Sequence, residues 1–292
     1  QSLNFTFDGS TGAGALSNGV TLDAIENLDV RTGSGNDSFD LTGLDGSAFV
    51  YGGAGTNSLT VTTSGVSEFL PFHFSTIRSD GAGALAGDVA GTDFAFTAFS
   101  GIDHLTYTAG DDNDSILVDA AALVGGVTLW VDAAGGSDML ILDRLAFEDT
   151  TFIVAPDGSI SGNVPGTYLN FESYSLVLGN GTNVVTTGAG DDSIEAGSGD
   201  DSVASGDGND FIRVGAGVNV VDAGGGDDWI TSSGHDTIDG GDGYDMWQAD
   251  HFLETENLTI TIAGGTGTFS NGVSFENVQH ATIAIGSAED VI

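Results

Sequence analysis

Residues 188–214 read GAGDDSIEAGSGDDSVASGDGNDFIRV, and one pattern occurs three times in this stretch at a period of nine. In each copy two glycines bracket one residue, an acidic or amide residue and an aspartate follow, and a short apolar-centred run ends the unit. The repeated aspartates are Asp192, Asp201 and Asp210. Self-similarity at a fixed period is the sequence signature of a repeat architecture.

The period of nine extends over residues 178–248, which divide into eight consecutive units. The seventh unit, SSGHDTID at 232–239, lacks one residue. The sixth position of the units holds, in chain order, Asn183, Asp192, Asp201, Asp210, Asn219, Asp228, Asp236 and Asp245. The eighth position holds Val185, Ile194, Val203, Ile212, Val221, Ile230, Ile238 and Trp247. Every unit thus combines a glycine turn, a carboxylate or amide, and one large apolar side chain.

Such a unit is too short for a helix and fits a tight turn followed by a three-residue strand with its middle side chain inward. Two units make one coil of about 18 residues, so residues 18 apart stack on one side. The first row then contains Asp192, Asp210, Asp228 and Asp245, and the second row contains Asn183, Asp201, Asn219 and Asp236. We therefore predict an all-β fold, a parallel β-roll or β-solenoid.

A longer repeat overlies the short one. LNFTFDGSTGAGALSNG near the start is similar to LTITIAGGTGTFSNG near the end, and two further copies lie between them. We predict β repeat units at 1–67, 68–148 and 149–255, the third containing the nonapeptides, and a partial unit at 256–292. Because residue 292 falls inside a motif, we expect the array to continue in a longer protein.

The composition is strongly acidic but not that of a disordered chain. There are 43 acidic and 4 basic residues, a formal net charge of −39, no cysteine, and 40% hydrophobic residues. Nucleic acid is excluded as a partner, since phosphate binding needs clustered Lys and Arg. No segment is typical of membrane insertion, and disulfides and zinc–thiolate sites are excluded.

Carboxylates repeating along a row at the inter-strand spacing of ~4.8 Å repel one another unless a cation lies between them. Calcium accepts six to eight oxygens from carboxylates and backbone carbonyls in flexible geometry. Zinc prefers His or Cys, and magnesium is stricter and retains its waters. The alternative to a metal site is a solvated acidic surface in which the aspartates only stabilise turns. Eight units in phase favour several calcium ions.

The nonapeptides resemble the G-G-x-G-x-D-x-U-x repeat of the RTX calcium-binding proteins, which form a parallel β-roll. Shorter motifs at 32–40, 52–60, 109–117, 133–141 and 285–292 extend the resemblance along the chain. It implies that the aspartate side chains and the carbonyls of the glycine turns are calcium ligands. In this sequence these are Asp192, Asp201, Asp210, Asp228, Asp236 and Asp245, with Gly190, Gly199, Gly208, Gly226 and Gly243, and in the shorter motifs Asp37, Asp114 and Asp138.

This chain departs from the family pattern at several positions. The first glycine is replaced in most units, for example by Thr187 and Ala196. Asn183 and Asn219 carry no charge, so we expect calcium to occupy the first row more fully than the second row. We also expect the site of the shortened unit at 232–239 to be distorted.

The seventh position points outward, and next to the first row it reads Ser193, Phe211, Trp229 and Met246, which we call the outward row. Either the flanking repeats cover its three large apolar side chains, or they form a contact surface for a neighbouring subunit or for sugar rings. No histidine stands in a nucleophile motif and Gly-x-Ser-x-Gly is absent, so we do not expect an enzyme.

The resemblance leads us to expect a calcium-binding structural segment of a large secreted or cell-surface bacterial protein, exported by type I secretion. It would fold on meeting extracellular calcium and serve as an adhesin spacer, a surface-layer subunit or an extracellular filament, in contact with neighbouring copies or further repeats. The alternatives are a glycan-binding module and an accessory β-roll domain of an exported enzyme.

Overall fold

The structure is a computed structural model that describes residues 4–8, 13–16, 21–22, 27–42, 47–63, 72–79, 84–90, 96–119, 126–143, 149–251, 257, 259–286 and 290–291. All regular secondary structure in these residues is β-strand. The chain divides into two compact units. The first comprises Gln1–Asp143 with Pro165–Phe171, and the second comprises Arg144–Val164 with Glu172–Ile292.

The first unit contains fifteen of the described strands. They are β1 (Asn4–Asp8), β2 (Ala13–Leu16), β3 (Thr21–Leu22), β4 (Asn27–Arg31), β5 (Ser38–Thr42), β6 (Ser47–Tyr51), β7 (Ser58–Thr62), β8 (Phe72–Ser79), β9 (Leu85–Ala90), β10 (Phe96–Ile102), β11 (His104–Thr108), β12 (Asn113–Asp119), β13 (Thr128–Asp132), β14 (Met139–Asp143) and β17 (Thr167–Leu169). One set runs in the order β17-β13-β11-β7-β5-β1-β2-β3, parallel as far as β1. The other runs β14-β12-β8-β9-β10-β6-β4, in which only the pairs made by β9 are antiparallel.

The second unit contains the remaining described strands. They are β15 (Thr151–Val154), β16 (Ile160–Gly162), β18 (Ser173–Val177), β19 (Val184–Thr186), β20 (Ser193–Gly197), β21 (Ser202–Ala204), β22 (Phe211–Val214), β23 (Val220–Asp222), β24 (Trp229–Ser232), β25 (Thr237–Asp239), β26 (Met246–His251), β27 (Ile260–Ala263), β28 (Thr266–Phe269), β29 (Ser274–Glu276) and β30 (His280–Ile285). One set, β30-β26-β24-β22-β20-β18, is entirely parallel. The other runs β16-β15-β19-β21-β23-β25-β29-β28-β27 and is parallel from β15 to β29.

Successive nonapeptide strands alternate between these two sets. Strands β20, β22, β24 and β26 lie in one, and β19, β21, β23 and β25 lie in the other. The register pairs Ser193 with Phe211, Phe211 with Trp229, and Trp229 with Met246, which are 18, 18 and 17 residues apart. The predicted all-β parallel roll is confirmed, and the shortened seventh unit is accommodated without losing the register.

The position-eight side chains form the core of the roll, because every one is at most 2% exposed. Each buried Val or Ile contributes about 1.5–3 kcal/mol relative to an exposed one. Trp247 ends the column, where it packs against Phe269 and Phe275 and donates its indole N–H to Ser232 Oγ at 3.1 Å. Hydrophobic burial therefore runs continuously along the roll.

The four predicted repeat units remain a prediction. Their boundaries after residues 67, 148 and 255 adjoin or lie within segments outside the described residues. Among the residues that the structure describes, no helix is long and apolar enough to cross a membrane.

Candidate metal centre

The position-six side chains are buried in two rows. In both rows these residues are at most 3% exposed, although six of the eight are aspartates. Burying a carboxylate is costly unless it is paired, hydrogen-bonded or bound to a metal. The partners of the two carboxylate oxygens therefore determine what the rows can do.

One oxygen of each first-row carboxylate is used in a ladder between coils. Asp192 Oδ1 accepts the backbone N–H of Tyr174 at 2.7 Å, and Asp210 Oδ1 accepts that of Asp192 at 2.9 Å. Asp228 and Asp245 continue the pattern at 2.8 and 3.0 Å. Each side chain thereby holds the turn of the preceding coil, and its orientation is determined by that bond.

The other oxygen has no hydrogen-bond partner. This is true of the Oδ2 atoms of Asp192, Asp201, Asp210, Asp228 and Asp245, all of which are buried. Burial raises the pKa of the Asp192 and Asp228 carboxyls to about 7, with a smaller upward contribution from neighbouring aspartates. Burial likewise raises the pKa of Asp201, Asp210 and Asp245. A buried carboxylate oxygen that accepts no hydrogen bond is suited to bind a cation, because burial without any partner is costly.

Backbone carbonyls supply further acceptors at the same turns. No described residue donates a hydrogen bond to the carbonyl oxygens of Gly190, Gly208 or Gly226, each two residues before a first-row aspartate. Within the described residues, no group of three or more His, Cys, Asp or Glu side chains converges on a common point. Any cation would therefore be held by isolated carboxylates together with backbone carbonyls. This donor set suits calcium and does not suit zinc.

The second row is less uniform. Asp201 has an unpartnered Oδ2, as the first row does. Asp236, in the shortened unit, differs because its Oδ2 accepts the N–H of Gly234 at 3.0 Å and its Oδ1 accepts that of Asn219 at 3.1 Å. Because this unit is one residue shorter, a backbone N–H lies beside Oδ2 of Asp236, whereas Oδ2 of Asp201 and of the first-row aspartates has no donor.

The predicted ligands of the first unit lie in turns of the same kind. Asp37, Asp114 and Asp138 are at most 3% exposed. Asp138 Oδ1 accepts the N–H of Asp114 at 2.7 Å, and Asn57 Oδ1 accepts that of Asp37 at 3.0 Å. Burial, then the charges of Asp138 and Asp112, raises the pKa of Asp114 to about 7. Half of the predicted motif at 285–292, namely residues 287–289 and 292, lies outside the described residues.

Sequence reasoning missed a second ladder at the surface of the same turns. Asp191 Oδ1 accepts the N–H of Asn209 at 2.8 Å, Asn209 Oδ1 accepts that of Asp227 at 2.9 Å, and Asp227 Oδ1 accepts that of Tyr244 at 2.9 Å. The recurrence of Asp or Asn at position five was the available signal. These side chains stabilise the turns through their hydrogen bonds. Because they are exposed, they can also hydrogen-bond to water.

The outward row is open to solvent at its centre. Phe211 is 41% and Trp229 is 45% exposed, so the interpretation that flanking repeats cover them is wrong for these two residues. Met246 is half-buried. Both aromatic rings border a shallow groove of about 390 Å³ that is also lined by Arg213 and Gln248.

The raised pKa values predict an inverted pH dependence for the metal-free chain. A folded-state pKa of about 7 for Asp192 and Asp228, above the ordinary value of about 4, makes a contribution to stability that is full at acid pH. It is lost as the pH rises through 7. In calcium-free buffer we expect the thermal midpoint to rise as the pH falls from 8 to 5. With saturating calcium the same change should lower it, because protons then compete with the ion. A metal-free midpoint that falls over this range would contradict the prediction.

Comparison with known families agrees with this geometry. The family model for the RTX calcium-binding nonapeptide repeat matches residues 178–212, 205–233 and 213–246. A search of curated proteins found no significant match to the chain. The matched residues are those whose buried aspartates and glycine turns form the two rows. Residues 178–246 are therefore RTX calcium-binding nonapeptide repeats, folded as a calcium-binding parallel β-roll.

Proposed function

We propose that this chain is a structural segment of a secreted or cell-surface bacterial protein and that it folds when it meets extracellular calcium. The observation that carries the proposal is the first row, whose four buried carboxylates each keep one oxygen without a hydrogen-bond partner. The role is structural rather than catalytic.

Calcium would couple folding to location. In a compartment where the ion is scarce, the buried carboxylates and the net charge of −39 oppose the compact state. Outside the cell, an ion that binds the folded roll and not the open chain adds RT ln(1 + [Ca]/Kd). This is about 1–2 kcal/mol for one weak site at roughly ten times its Kd. Several sites together reach the total stability of an ordinary domain, which is about 5–15 kcal/mol.

The parallel roll supports a spacer, surface-layer or filament role. Each nonapeptide strand pairs only with the strands of the coils before and after it, so coils add in one direction. Such an element sets a distance without requiring a ligand pocket. Neighbouring copies or further repeats of the same protein are the partners that this arrangement favours. Type I secretion is the export route that we propose with it.

The direct test is a calcium titration of the purified chain, followed by far-ultraviolet circular dichroism and thermal melting, with magnesium as the control ion. We expect a cooperative gain of β-signal and of thermal midpoint with calcium alone. A chain that is fully folded in calcium-free buffer at pH 7.5, and whose midpoint calcium leaves unchanged, would overturn the proposal.

A second candidate function is glycan binding at the outward row, favoured by the exposure of Phe211 and Trp229 beside Arg213 and Gln248. Aromatic faces stack on sugar rings, and planar polar side chains bond their hydroxyls. If the groove binds sugar, Trp229→Ala should weaken binding at least tenfold on a glycan array, a loss of about 1.4 kcal/mol or more. Val220→Ala, an exposed apolar residue of β23, is the matched control and should bind as the wild type does. Equal binding by both variants would remove this candidate.

A further inference from the structure

The asparagines of the second row lie in the same orientation as the aspartates. Asn183 Oδ1 accepts the N–H of Thr150 at 3.0 Å, and Asn219 Oδ1 accepts that of Asp201 at 3.0 Å. Only an oxygen can accept these bonds, so the amide nitrogen must point the other way. It therefore occupies the place that the unpartnered Oδ2 occupies in an aspartate of the same ladder.

At Asn183 that place is surrounded by oxygen atoms. Asn183 Nδ2 lies 2.8 Å from Ala196 O, 3.1 Å from Gly181 O and 3.2 Å from Gly179 O. Asp201 Oδ1 is 2.9 Å away. Three backbone carbonyls and a carboxylate thus face one nitrogen in a residue with no solvent exposure. An amide can donate only two hydrogens, so this set of acceptors is larger than the nitrogen itself requires.

Two other buried asparagines, Asn219 in the second row and Asn57 in the first unit, also donate from Nδ2, but to fewer oxygen atoms. Asn219 Nδ2 lies 2.8 Å from Asp236 Oδ1 and 3.1 Å from Gly215 O. In the first unit, Asn57 Nδ2 donates to Gly101 O at 2.9 Å. At Asp236 the N–H of Gly234 has this role. Within the second row, Asp201 is the residue whose buried oxygen still lacks a donor.

We propose that Asn183 and Asn219 are internal replacements for calcium, and that their amide N–H groups hold the second row together without metal. The inference rests on the calcium binding of the first row. In the first row the equivalent atom is the Oδ2 oxygen of an aspartate. This oxygen has no hydrogen-bond donor beside it and therefore needs a cation. In the second row a donor has been built into the side chain. The roll therefore has one side on which every aspartate keeps an oxygen without a donor and one side on which only Asp201 does.

Exchanging the two residue types tests the proposal. Asn183→Asp replaces the donor by an acceptor and keeps Oδ1 for the ladder, whereas Asp210→Asn makes the opposite change in the first row. Asp207→Asn, at an exposed position of the same turns, is the control for the change of charge. Bound calcium per chain is measured by equilibrium dialysis with metal analysis. Thermal midpoints are measured in calcium and in calcium-free buffer at pH 7.5.

We expect Asn183→Asp to bind one additional calcium ion per chain and to have a lower midpoint in calcium-free buffer. Asp210→Asn should bind at least one ion fewer, and its metal-free midpoint should be higher than that of the wild type. Asp207→Asn should leave the number of bound ions unchanged. Unchanged calcium content in Asn183→Asp, or a metal-free midpoint of Asp210→Asn below that of the wild type, would overturn the inference. A wild-type chain that binds no calcium would overturn both this inference and the proposed function, so the two failures are distinguishable.

Discussion

Asp210→Ala combined with Asp228→Ala is expected to lower the thermal midpoint in calcium by roughly 10–20 °C. The change removes two unpartnered Oδ2 atoms and the two Oδ1 acceptors of the backbone N–H groups of Asp192 and Asp210. A buried N–H left without an acceptor costs about 1–3 kcal/mol. Loss of one weak calcium site costs about 1–2 kcal/mol more. Two positions together lose about 4–10 kcal/mol, and a loss of about 5 kcal/mol, near the lower end, corresponds to this range at ~2–4 °C per kcal/mol.

The matched control is Asp207→Ala with Asp222→Ala, which removes the same charge from exposed positions. Its midpoint in calcium should stay within a few degrees of the wild type, since exposed substitutions usually change stability by less than about 0.5 kcal/mol. The comparison is repeated in calcium-free buffer. There the deficit of the first variant should shrink, because alanine also removes two buried charges. A deficit of equal size with and without calcium would show that the aspartates act only through the ladder.

Gly208→Ala is expected to destabilise the roll strongly. Gly208 has φ of 132°, a conformation almost restricted to glycine, which costs another residue about 1–3 kcal/mol. A methyl group on its Cα would also overlap the carbonyl oxygen of Gly190 in the preceding coil. Since the obstructing atom belongs to the backbone of the preceding coil, the two coils must separate to relieve the contact. We expect a loss of roughly 3 kcal/mol or more in the free energy of unfolding, measured by urea denaturation in calcium.

Gly188→Ala provides the control within the same kind of turn. Gly188 has no positive φ, and a methyl group there would meet only Val154 Cγ1 at 3.9 Å, an ordinary contact. Its free energy of unfolding should lie within about 0.5 kcal/mol of the wild type. Equal losses from Gly188→Ala and Gly208→Ala would mean that general turn flexibility, and not close stacking of the coils, explains the glycines.

The features that follow from the period of nine could be predicted from the sequence. A turn and a short strand repeat along the covalent chain, so Ile194, Ile212 and Ile230 had to lie in one column once the strands were parallel. The same reasoning separated Asp192, Asp210 and Asp228 from Asp201. The outward orientation of Phe211 and Trp229 was predicted, but their exposure was not, because burial depends on what the rest of the chain places beside them.

The partners of the side chains could not be predicted in this way. The N–H that Asp210 accepts belongs to a residue 18 positions earlier, and the N–H that Asn183 accepts belongs to one 33 positions earlier. Such a bond exists only after the coils have stacked. The shortened unit at 232–239 set Asp236 apart in the sequence, but only the structure shows that both of its carboxylate oxygens accept hydrogen bonds.

By itself the sequence therefore determined the parallel roll, its apolar column and the two rows of carboxylates and amides, because these depend only on spacing along the chain. The tertiary structure decided which carboxylate oxygens lack a donor, which glycines have a carbonyl against their Cα, and where an amide nitrogen fills the place of a cation. Those properties depend on the atoms of the adjacent coil, which close stacking brings within hydrogen-bond distance.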